Sequence, residues 1–411
     1  MKSARPYVPM PGQRAPQQPA FPQDRKRQLF VWWREIDRTL LFLVLGLMVI
    51  GTIAVYAASP ASAGRLSTSD VTLGEHYFFW LHLRWQVLGL GVLLVTSLLP
   101  MDSARRGAIL LGGLMLALLV LVPFVGVERN GAVRWLNLGM TFQPSEFLKP
   151  AYAVMLGWIL SWKLRDPGLP VIGITGGLVG LIVLLLMMQP NLGEAILFVG
   201  CWFVVVLLAG LPIKRIAIFS GVGVAALALT YALYDNGRNR IDAFLGGGTA
   251  FDQVDLARRT LLGGGWTGTG LGLGNQKMRL PEAHTDYIFS VIGEEFGLIV
   301  CMVLALVYIA IVLRVLVRLI EEDRLFIILS ATGLIALFGG QAFINILMNL
   351  QMFPSKGMTL PLVSYGGSST IAQCFTIGLL LAITRRNPFL SREAFDFSAA
   401  LDKEMGRETR R

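Results

Sequence analysis

Residues 39–58 read TLLFLVLGLMVIGTIAVYAA, which is twenty consecutive residues without a charged side chain. A helix needs about 20 mostly apolar residues to cross the hydrocarbon core of a bilayer. Similar blocks recur along the chain, which is 54% apolar and only 15% charged. A soluble domain carries about 25% charged residues. Because the apolar residues are concentrated in long blocks, they predict a multi-pass membrane protein and not a soluble domain with a large core.

Ten such blocks predict an all-α fold with about ten transmembrane helices. Their bounds, within a few residues at each end, are Thr39–Ala58, His82–Leu99, Gly107–Val127, Ser145–Trp162, Val171–Met188, Leu192–Leu211, Ile216–Tyr234, Tyr287–Val317, Leu325–Met348 and Ser368–Thr384. No cleavable signal peptide is visible before the first block, so we expect that block to be an uncleaved anchor.

The basic residues predict the orientation of these helices. Seventeen lie in the two tails and in one set of loops, against six in the short loops of the opposite set. Loops rich in Lys and Arg face the cytoplasm, which predicts that both tails are cytoplasmic. We predict a disordered tail at 1–36, because six prolines precede residue 23, a transmembrane domain at 37–388 and a second tail at 389–411. A long extracytoplasmic loop is predicted at about 235–286.

Composition also argues against other classes. The net charge is +10, but the basic residues lie in short loops and form no stripe with interleaved aromatic residues, so nucleic-acid binding is not favoured. The three cysteines fall inside apolar blocks and are predicted to be buried and free. The three histidines lack the spacing of a zinc site. A divalent cation, Mg²⁺ or Mn²⁺, held by carboxylates remains open.

The first polar cluster is RNGAVRWLNLG at 129–139, followed by QPSEFLKP at 143–150. Arg134 has the planar fork that binds phosphate, and Lys149 would act as a point charge. Ser145 is predicted to open a helix as its N-cap, and Glu146 suits the first turn of that helix. The alternative is a set of interfacial charges in which Arg134 pairs with Glu146.

The second cluster, QPNLGE at 189–194, joins two apolar blocks. Glu194 lies just inside the following block, where a charged group costs about 2.5–3.5 kcal/mol near the bilayer centre and less at its edge. The prolyl and asparaginyl residues also suit an ordinary turn. Both a functional and a structural interpretation of this turn stay open.

The third cluster runs from LPEAHTD at 280–286 into the block that follows. Asp286 is predicted to lie at the membrane boundary, at the mouth of a polar space. The alternative is a helix N-cap, but the residue three positions later is Phe289, so no capping box supports it. Gly293 and Gly297 are predicted to allow close approach of another backbone.

The fourth cluster, PSKGMTLPLVSYGGSST at 354–370, is rich in glycine and hydroxyl groups and carries Lys356. It enters the last apolar block, and a helix N-terminus favours anions. Ser364 and Ser368 could contact a ligand, but no assignable histidine base accompanies them, so a nucleophilic serine is not favoured. All four clusters fall on the predicted extracytoplasmic side, which indicates one shared site.

These segments resemble the SEDS family (shape, elongation, division and sporulation) over Asp37 to about Pro388. The residues that carry the resemblance are Arg134–Gly139, Gln143–Lys149, Pro281–Asp286 and Lys356–Ser369. The last two segments are similar to the cell-division branch rather than to the rod-elongation branch. Asn191 departs from the family pattern, which often has Asp there, and this leaves an acidic role at that turn in doubt.

The resemblance implies a ten-helix fold and a processive glycosyltransferase that polymerises lipid II in the bacterial inner membrane at the division septum. It implies a required aspartate at Asp286, which we interpret as a general base. It also implies a class B penicillin-binding protein, which supplies transpeptidation, and other divisome proteins as partners. The predicted substrate-binding residues are Arg134, Glu146, Lys149, Glu194, His284, Lys356, Ser364 and Ser368. The alternatives are a lipid II flippase, a rod-elongation paralogue and a division scaffold without catalysis. For a flippase, charges inside apolar blocks such as Glu194 and Glu294 would be the pathway residues.

Overall fold

The computed structural model describes residues 25–67, 72–129, 132–137, 139, 141–164, 166, 168–210, 250–354 and 357–386, and the single residues 221, 232, 238 and 242. For residues 25–28, 129, 132 and 250–252 it describes the backbone only. The helices of the described residues are α1 Arg25–Glu35, α2 Arg38–Leu66, α3 Tyr77–Leu98, α4 Met101–Val125, α5 Pro144–Ser161, α6 Val171–Met188, α7 Leu192–Leu208, α8 Ala250–Gly263, α9 Ile288–Leu319, α10 Leu325–Asn349 and α11 Gly367–Ile383. Three short strands are β1 Val127–Arg129, β2 Ala132–Asn137 and β3 Thr141–Phe142.

The predicted all-α multi-pass fold is confirmed. Six helices, namely α2, α3, α4, α6, α9 and α10, are long and apolar enough to cross a membrane, and α7 and α11 are shorter apolar helices. Together with α5 they match nine of the ten predicted spans. The remaining prediction, Ile216–Tyr234, lies outside the described residues. The three cysteines are buried and free, as predicted.

Residues 37–385 form one compact unit, and residues 1–36 with 386–411 are assigned to a second one. The prediction of a tail without regular structure is wrong for residues 25–35, which form α1. The six prolines that favoured disorder all precede residue 23, whereas 29–33 is an apolar run without proline. An apolar run free of proline can complete helical turns.

The start of α2 is tied to the end of α9 through one carboxylate. Asp37 caps α2 by accepting a hydrogen bond from the Leu40 N–H at 3.1 Å. It also lies 2.8 Å from Arg314 and 3.0 Å from Arg318. Burial opposes ionisation of Asp37, but the bonds from Arg314 and Leu40 and the charge of Arg318 outweigh it and lower its pKa. The ionised carboxylate therefore fastens two helices at this edge of the bundle.

Small residues bring α5 and α10 together. A Cβ atom added at Gly157 would lie 2.6 Å from the backbone nitrogen of Ser330, and one added at Gly333 would lie 3.0 Å from the Cβ of Ala153. Small residues let helix backbones approach closely in membranes. Of the six long apolar helices, α10 is the most deeply enclosed. This contact forms a seam, α5 against α10, in the interior of the bundle.

The segment before α9 lies against the first turns of that helix. A Cβ atom added at Gly293 would lie 3.0 Å from the Leu261 carbonyl oxygen, and one added at Gly297 would lie 2.5 Å from the Gly268 nitrogen. Gly297 has a φ of 85°, which interrupts the helical backbone of α9. The prediction that these two glycines allow close backbone approach is confirmed.

Candidate active site

Arg134 is presented by β2, in a small antiparallel sheet that the sequence did not predict. Val127 of β1 pairs with Trp135, and Leu136 pairs with Phe142 of β3. The sheet holds Arg134 in reach of the turn between α6 and α7. Its Nε donates to the Gln189 carbonyl at 3.2 Å and its Nη2 donates to the Pro190 carbonyl at 2.5 Å. The first two polar clusters are thus joined through the guanidinium of Arg134.

Asp286 lies two residues before α9 and is half-buried. The residue at the N-cap position is Tyr287, so Asp286 does not cap this helix. Its backbone carbonyl accepts hydrogen bonds from the carboxamides of Asn345 at 2.8 Å and Asn349 at 3.2 Å. The peptide that carries the candidate base is therefore fixed by a neighbouring helix.

Asp286 and Arg134 meet at Gly357. A Cβ atom added at Gly357 would lie 3.4 Å from Asp286 Oδ2 and 3.9 Å from Arg134 Nη1. Gly357 has a φ of 62°, a left-handed conformation that favours glycine. A carboxylate oxygen and a guanidinium nitrogen therefore approach one point from different segments, and the residue there has no side chain to fill it.

Lys149 is the centre of a buried polar network on α5, α7 and α10. Its Nζ lies 2.8 Å from Glu146 Oε1, 2.8 Å from Gln341 Oε1 and 3.8 Å from Glu194 Oε1. Gln143 donates to Glu194 Oε1 at 3.0 Å. Glu146 Oε2 and Glu194 Oε2 are buried, and neither has a hydrogen-bond partner among the residues that the structure describes. The structure thus brings Glu146, Lys149 and Glu194 together, with two carboxylate oxygens able to accept further donors.

The prediction that Ser145 is the N-cap of a helix is wrong. Helix α5 is preceded by Gln143, which makes no side-chain cap, and begins at Pro144. Proline at the first helical position needs no N–H partner and already has a helical φ, so it displaces the serine from the cap. The Ser145 hydroxyl instead accepts a hydrogen bond from Gln143 Nε2 at 3.1 Å.

His284 is held within an aromatic cluster. Its Nδ1 lies 2.7 Å from the hydroxyl of Ser62, and its ring centroid lies 4.3 Å from that of Phe78 and 5.2 Å from that of Tyr365. Burial lowers the pKa of His284 to about 4, against a smaller opposing effect of Glu282. The imidazole is therefore neutral at neutral pH. These contacts favour a role in holding the Asp286 segment, since the His284 carbonyl also accepts the Tyr365 N–H at 2.9 Å.

The two candidate serines join the fourth cluster to the others. The Ser364 hydroxyl donates to the Thr285 carbonyl at 2.6 Å and accepts the Leu360 N–H at 2.8 Å. The Ser368 hydroxyl accepts the Gln143 N–H at 3.3 Å and donates to the Thr141 carbonyl at 3.5 Å. Ser364 thus fixes the residue before Asp286. Lys356, the last of the predicted site residues, lies outside the described residues.

The structure gives Glu294 and Glu295, two carboxylates near the start of α9, roles that the sequence did not predict. Glu294 was a candidate for a charge pathway, but its oxygens accept the backbone N–H groups of Gln276 at 2.6 Å and Lys277 at 2.8 Å. Glu295 accepts from Gly274 at 3.2 Å and pairs with the buried Lys277 ammonium group. Both side chains therefore fasten the glycine-rich segment 264–278 against α9. The sequence GEEFG at 293–297 did not by itself indicate that its two glutamates bind backbone N–H groups.

Sequence reasoning also missed a set of carboxamides in the apolar blocks. Gln341, Asn345 and Asn349 are each at most 1% exposed, and they contact the groups described above. Their spacing of four residues was a readable signal, because such residues share one helix face. No group of three or more His, Cys, Asp or Glu side chains that could hold a metal ion occurs in the part of the chain that the structure describes.

The fold and the site define a multi-pass membrane protein whose polar side chains converge at one end of its helices. Four separate stretches of sequence, from β2, the α6–α7 turn, the segment before α9 and the segment before α11, contribute to that site. The candidate base and the candidate phosphate ligand lie within it, beside a buried network of one ammonium and two carboxylate groups.

Comparison with known proteins agrees with this class. A family model described as cell cycle protein, of the FtsW, RodA and SpoVE type, matches residues 38–388. A Caulobacter vibrioides protein named probable peptidoglycan glycosyltransferase FtsW is 37% identical over 372 residues, which are 90% of this chain and 94% of that protein. The chain belongs to the FtsW/RodA/SpoVE family, and the resemblance to SEDS proteins is confirmed.

Solved structures support the same assignment. One chain from work described as "Structural coordination of polymerization and crosslinking by a peptidoglycan synthase complex" has a TM-score of 0.67 and 28% identity, covering 85% of this chain and 97% of that one. The crystal structure of the rod shape determining protein RodA from Thermus thermophilus has a TM-score of 0.60 and 28% identity, covering 86% and 97%.

Proposed function

We propose that this protein is a peptidoglycan glycosyltransferase that polymerises lipid II during septal cell-wall synthesis. The observation that carries the proposal is the approach of Asp286 Oδ2 and Arg134 Nη1 to one point beside Gly357. Relatives named peptidoglycan glycosyltransferase FtsW, 34–37% identical over most of the chain, support it. They also favour the division branch over a rod-elongation paralogue.

The reaction joins an acceptor sugar hydroxyl to the anomeric carbon of a donor and releases a lipid pyrophosphate. Asp286 is the general base in this scheme: it takes the proton of the hydroxyl as the new bond forms. Arg134 stabilises the negative charge that develops on the leaving pyrophosphate, for which its planar fork is suited. A base and a cation that both lie within 4 Å of the Cβ position of Gly357 can serve the two requirements of the transition state.

The buried network of Lys149, Glu146 and Glu194 supports a second contact to substrate. Lys149 Nζ lies 2.8 Å from Glu146 Oε1 and 3.8 Å from Glu194 Oε1, so the three side chains form one buried cluster. The Oε2 atoms of the two glutamates are buried acceptors without a partner among the described residues, and a sugar hydroxyl or amide group could bond to them only if the site opens around the substrate. We assign Lys149, Glu146 and Glu194 to substrate binding. Ser364 and His284 instead hold the segment that carries Asp286.

A lipid II flippase is the runner-up function. It would need polar groups along a path through the membrane. Glu294, which was a candidate for such a path, accepts two backbone N–H groups from the segment 264–278 and is used in fastening it. Glu294 is therefore occupied in holding backbone N–H groups, which favours a structural role for it over a place on a transport path.

The partner and location follow from the same proposal. A solved complex that coordinates polymerisation and crosslinking resembles this chain, and crosslinking needs a transpeptidase. We propose a class B penicillin-binding protein as that partner, within an assembly of other division proteins. The protein is a multi-pass membrane protein, and we propose the bacterial inner membrane at the septum, with both termini in the cytoplasm.

The test is polymerisation of fluorescent lipid II by the purified full-length protein with its penicillin-binding partner in detergent. We expect glycan strands from the wild type and none above background from Asp286→Asn, which keeps the side-chain shape but removes the base. Asp255→Asn is the matched control, since Asp255 pairs with the exposed Arg259 on α8 at 2.7 Å and has no other ion pair among the described residues. Full polymerisation by Asp286→Asn would exclude the assigned base. Lipid II translocation in liposomes without any polymer would favour the flippase.

A further inference from the structure

Three carboxamides form a ladder along the buried face of α10. Gln341, Asn345 and Asn349 follow one another at intervals of four residues, which places them on one face of the helix. None is more than 1% exposed. A buried amide that lacked partners would be costly, so the hydrogen bonds of these three side chains show which groups the ladder organises.

Gln341, the first carboxamide of the ladder, joins the Lys149 network to the loop before α11. Gln341 Oε1 accepts from Lys149 Nζ at 2.8 Å and from Gln373 Nε2 at 3.1 Å. Its Nε2 donates to the Thr359 carbonyl at 3.0 Å and lies 3.2 Å from the Thr359 hydroxyl. One side chain therefore fixes the ammonium group of Lys149 relative to a residue two positions after Gly357.

Asn345 and Asn349, the other two carboxamides of the ladder, bind the backbone carbonyl of Asp286. Asn345 Nδ2 donates to the Asp286 carbonyl at 2.8 Å and to the Met358 carbonyl at 2.6 Å. Asn349 Nδ2 donates to the same Asp286 carbonyl at 3.2 Å, and its Oδ1 accepts from the Ser290 hydroxyl at 2.7 Å. Asn345 therefore bonds at once to the residue that carries the candidate base and to the residue that follows Gly357.

We propose that the ladder is a positioning device for the reaction, which rests on the function proposed above. It sets the distance between the Asp286 carboxylate and the loop at Gly357, and it ties both to Lys149. The three groups come from separate parts of the chain, and α10 is the element that bonds to all of them. A carboxamide suits this task because it donates and accepts without carrying a charge that would compete with the site.

The ladder acts through the geometry of other groups, so its loss should lower kcat more than it raises KM. A misplacement of about 1 Å can cost on the order of 10²-fold in rate. For Asn345→Ala we expect kcat for lipid II polymerisation to fall between about 10-fold and 100-fold, with KM changing less than about threefold. Asn275→Ala, which removes an exposed asparagine before α9, is the matched control and should polymerise like the wild type.

Asn345→Asp gives a readout that a purely structural role would not produce. A protonated aspartic acid can donate one hydrogen bond to the Asp286 carbonyl, whereas an ionised one can only accept. The activity of Asn345→Asp relative to the wild type should therefore rise as the pH is lowered, at equal amounts of folded protein. Asn275→Asp should show no such trend.

The outcomes separate the two proposals. If the wild type polymerises lipid II and both Asn345 variants keep its kcat and pH profile, the ladder has no positioning role and the proposed function stands. If the wild type with its partner makes no polymer, both proposals are overturned. Should Asn345→Ala not be recovered as folded protein, Asn349→Ala, which leaves the Asn345 donor in place, is measured in the same assay, and an unchanged kcat there refutes the ladder.

Discussion

Replacement of Gly357 by alanine tests whether the reaction takes place between Asp286 and Arg134. The added methyl would lie 3.4 Å from Asp286 Oδ2 and 3.9 Å from Arg134 Nη1. These are ordinary van der Waals distances, so the methyl fits without overpacking the protein. The cost to stability comes from the backbone, because a φ of 62° disfavours alanine by about 1–2 kcal/mol.

The cost to activity comes from the space that the methyl fills. A hydroxyl that gives its proton to Asp286 must approach Oδ2 to within about 2.6–3.2 Å. A methyl 3.4 Å from Oδ2 would compete with such a hydroxyl for the space next to that oxygen. We expect kcat/KM to fall on the order of 10²-fold, which corresponds to about 2.7 kcal/mol of transition-state stabilisation.

Gly265→Ala is the matched control for this variant. Gly265 has a φ of 58°, and a Cβ atom there would meet nothing within 4 Å. Both variants should therefore lose a similar amount of thermal stability in detergent, while only Gly357→Ala should lose lipid II polymerisation. If the two variants polymerise at equal rates per folded molecule, the gap beside Gly357 is not the place of reaction and the assignment of Asp286 and Arg134 fails.

Three further predictions concern buried titratable groups and their contribution to stability. Lys277→Met should lower the unfolding temperature by leaving the buried Glu295 unpaired, at a cost of about 3–5 kcal/mol, and Glu295→Gln added to it should restore part of the loss. Asp37→Asn should cost about 1.5–3 kcal/mol at pH 7, since its lowered pKa means that the ionised form stabilises the fold. That contribution is lost as the pH falls below about 4, so the Asp37→Asn and wild-type curves of stability against pH should converge there. For His284 the folded pKa of about 4 lies below the ordinary 6.5, so the unfolded chain binds more protons between these values and stability falls as the pH is lowered through this range. His284→Gln should flatten the thermal stability between pH 6.5 and 4, and an unchanged slope would show that other groups cause it.

The helical fold was readable because apolar length alone decides it. The predicted block Val171–Met188 has the same bounds as helix α6. An α-helix satisfies the backbone hydrogen bonds of such an apolar segment within the segment itself, as lipid requires. Helix α1 and the strand that carries Arg134 were missed. Both are short, and short elements depend on their neighbours more than on their own composition.

The sequence predicted which segments form the site but not the contacts between them. The convergence of four polar clusters was predicted from their common side, and the structure joins Arg134, Asp286 and the segment at Gly357. The contacts themselves were not readable, because the bond from Arg134 to Pro190 spans 56 positions and depends on the packing of whole helices. The carboxamides of α10 were overlooked because single amides in an apolar block do not change its hydropathy.

The seam between α5 and α10 restricts where a lipid substrate can enter. A branched polyprenyl chain needs a fissure between helices that is at least one alkyl chain wide. Where a Cβ at Gly157 would come within 2.6 Å of the Ser330 nitrogen, the two backbones leave no such fissure. The polyprenyl tail of a donor or of a growing strand therefore cannot pass between α5 and α10 at this level of the bundle. The same close contact holds Lys149 of α5 beside Gln341 of α10, at 2.8 Å.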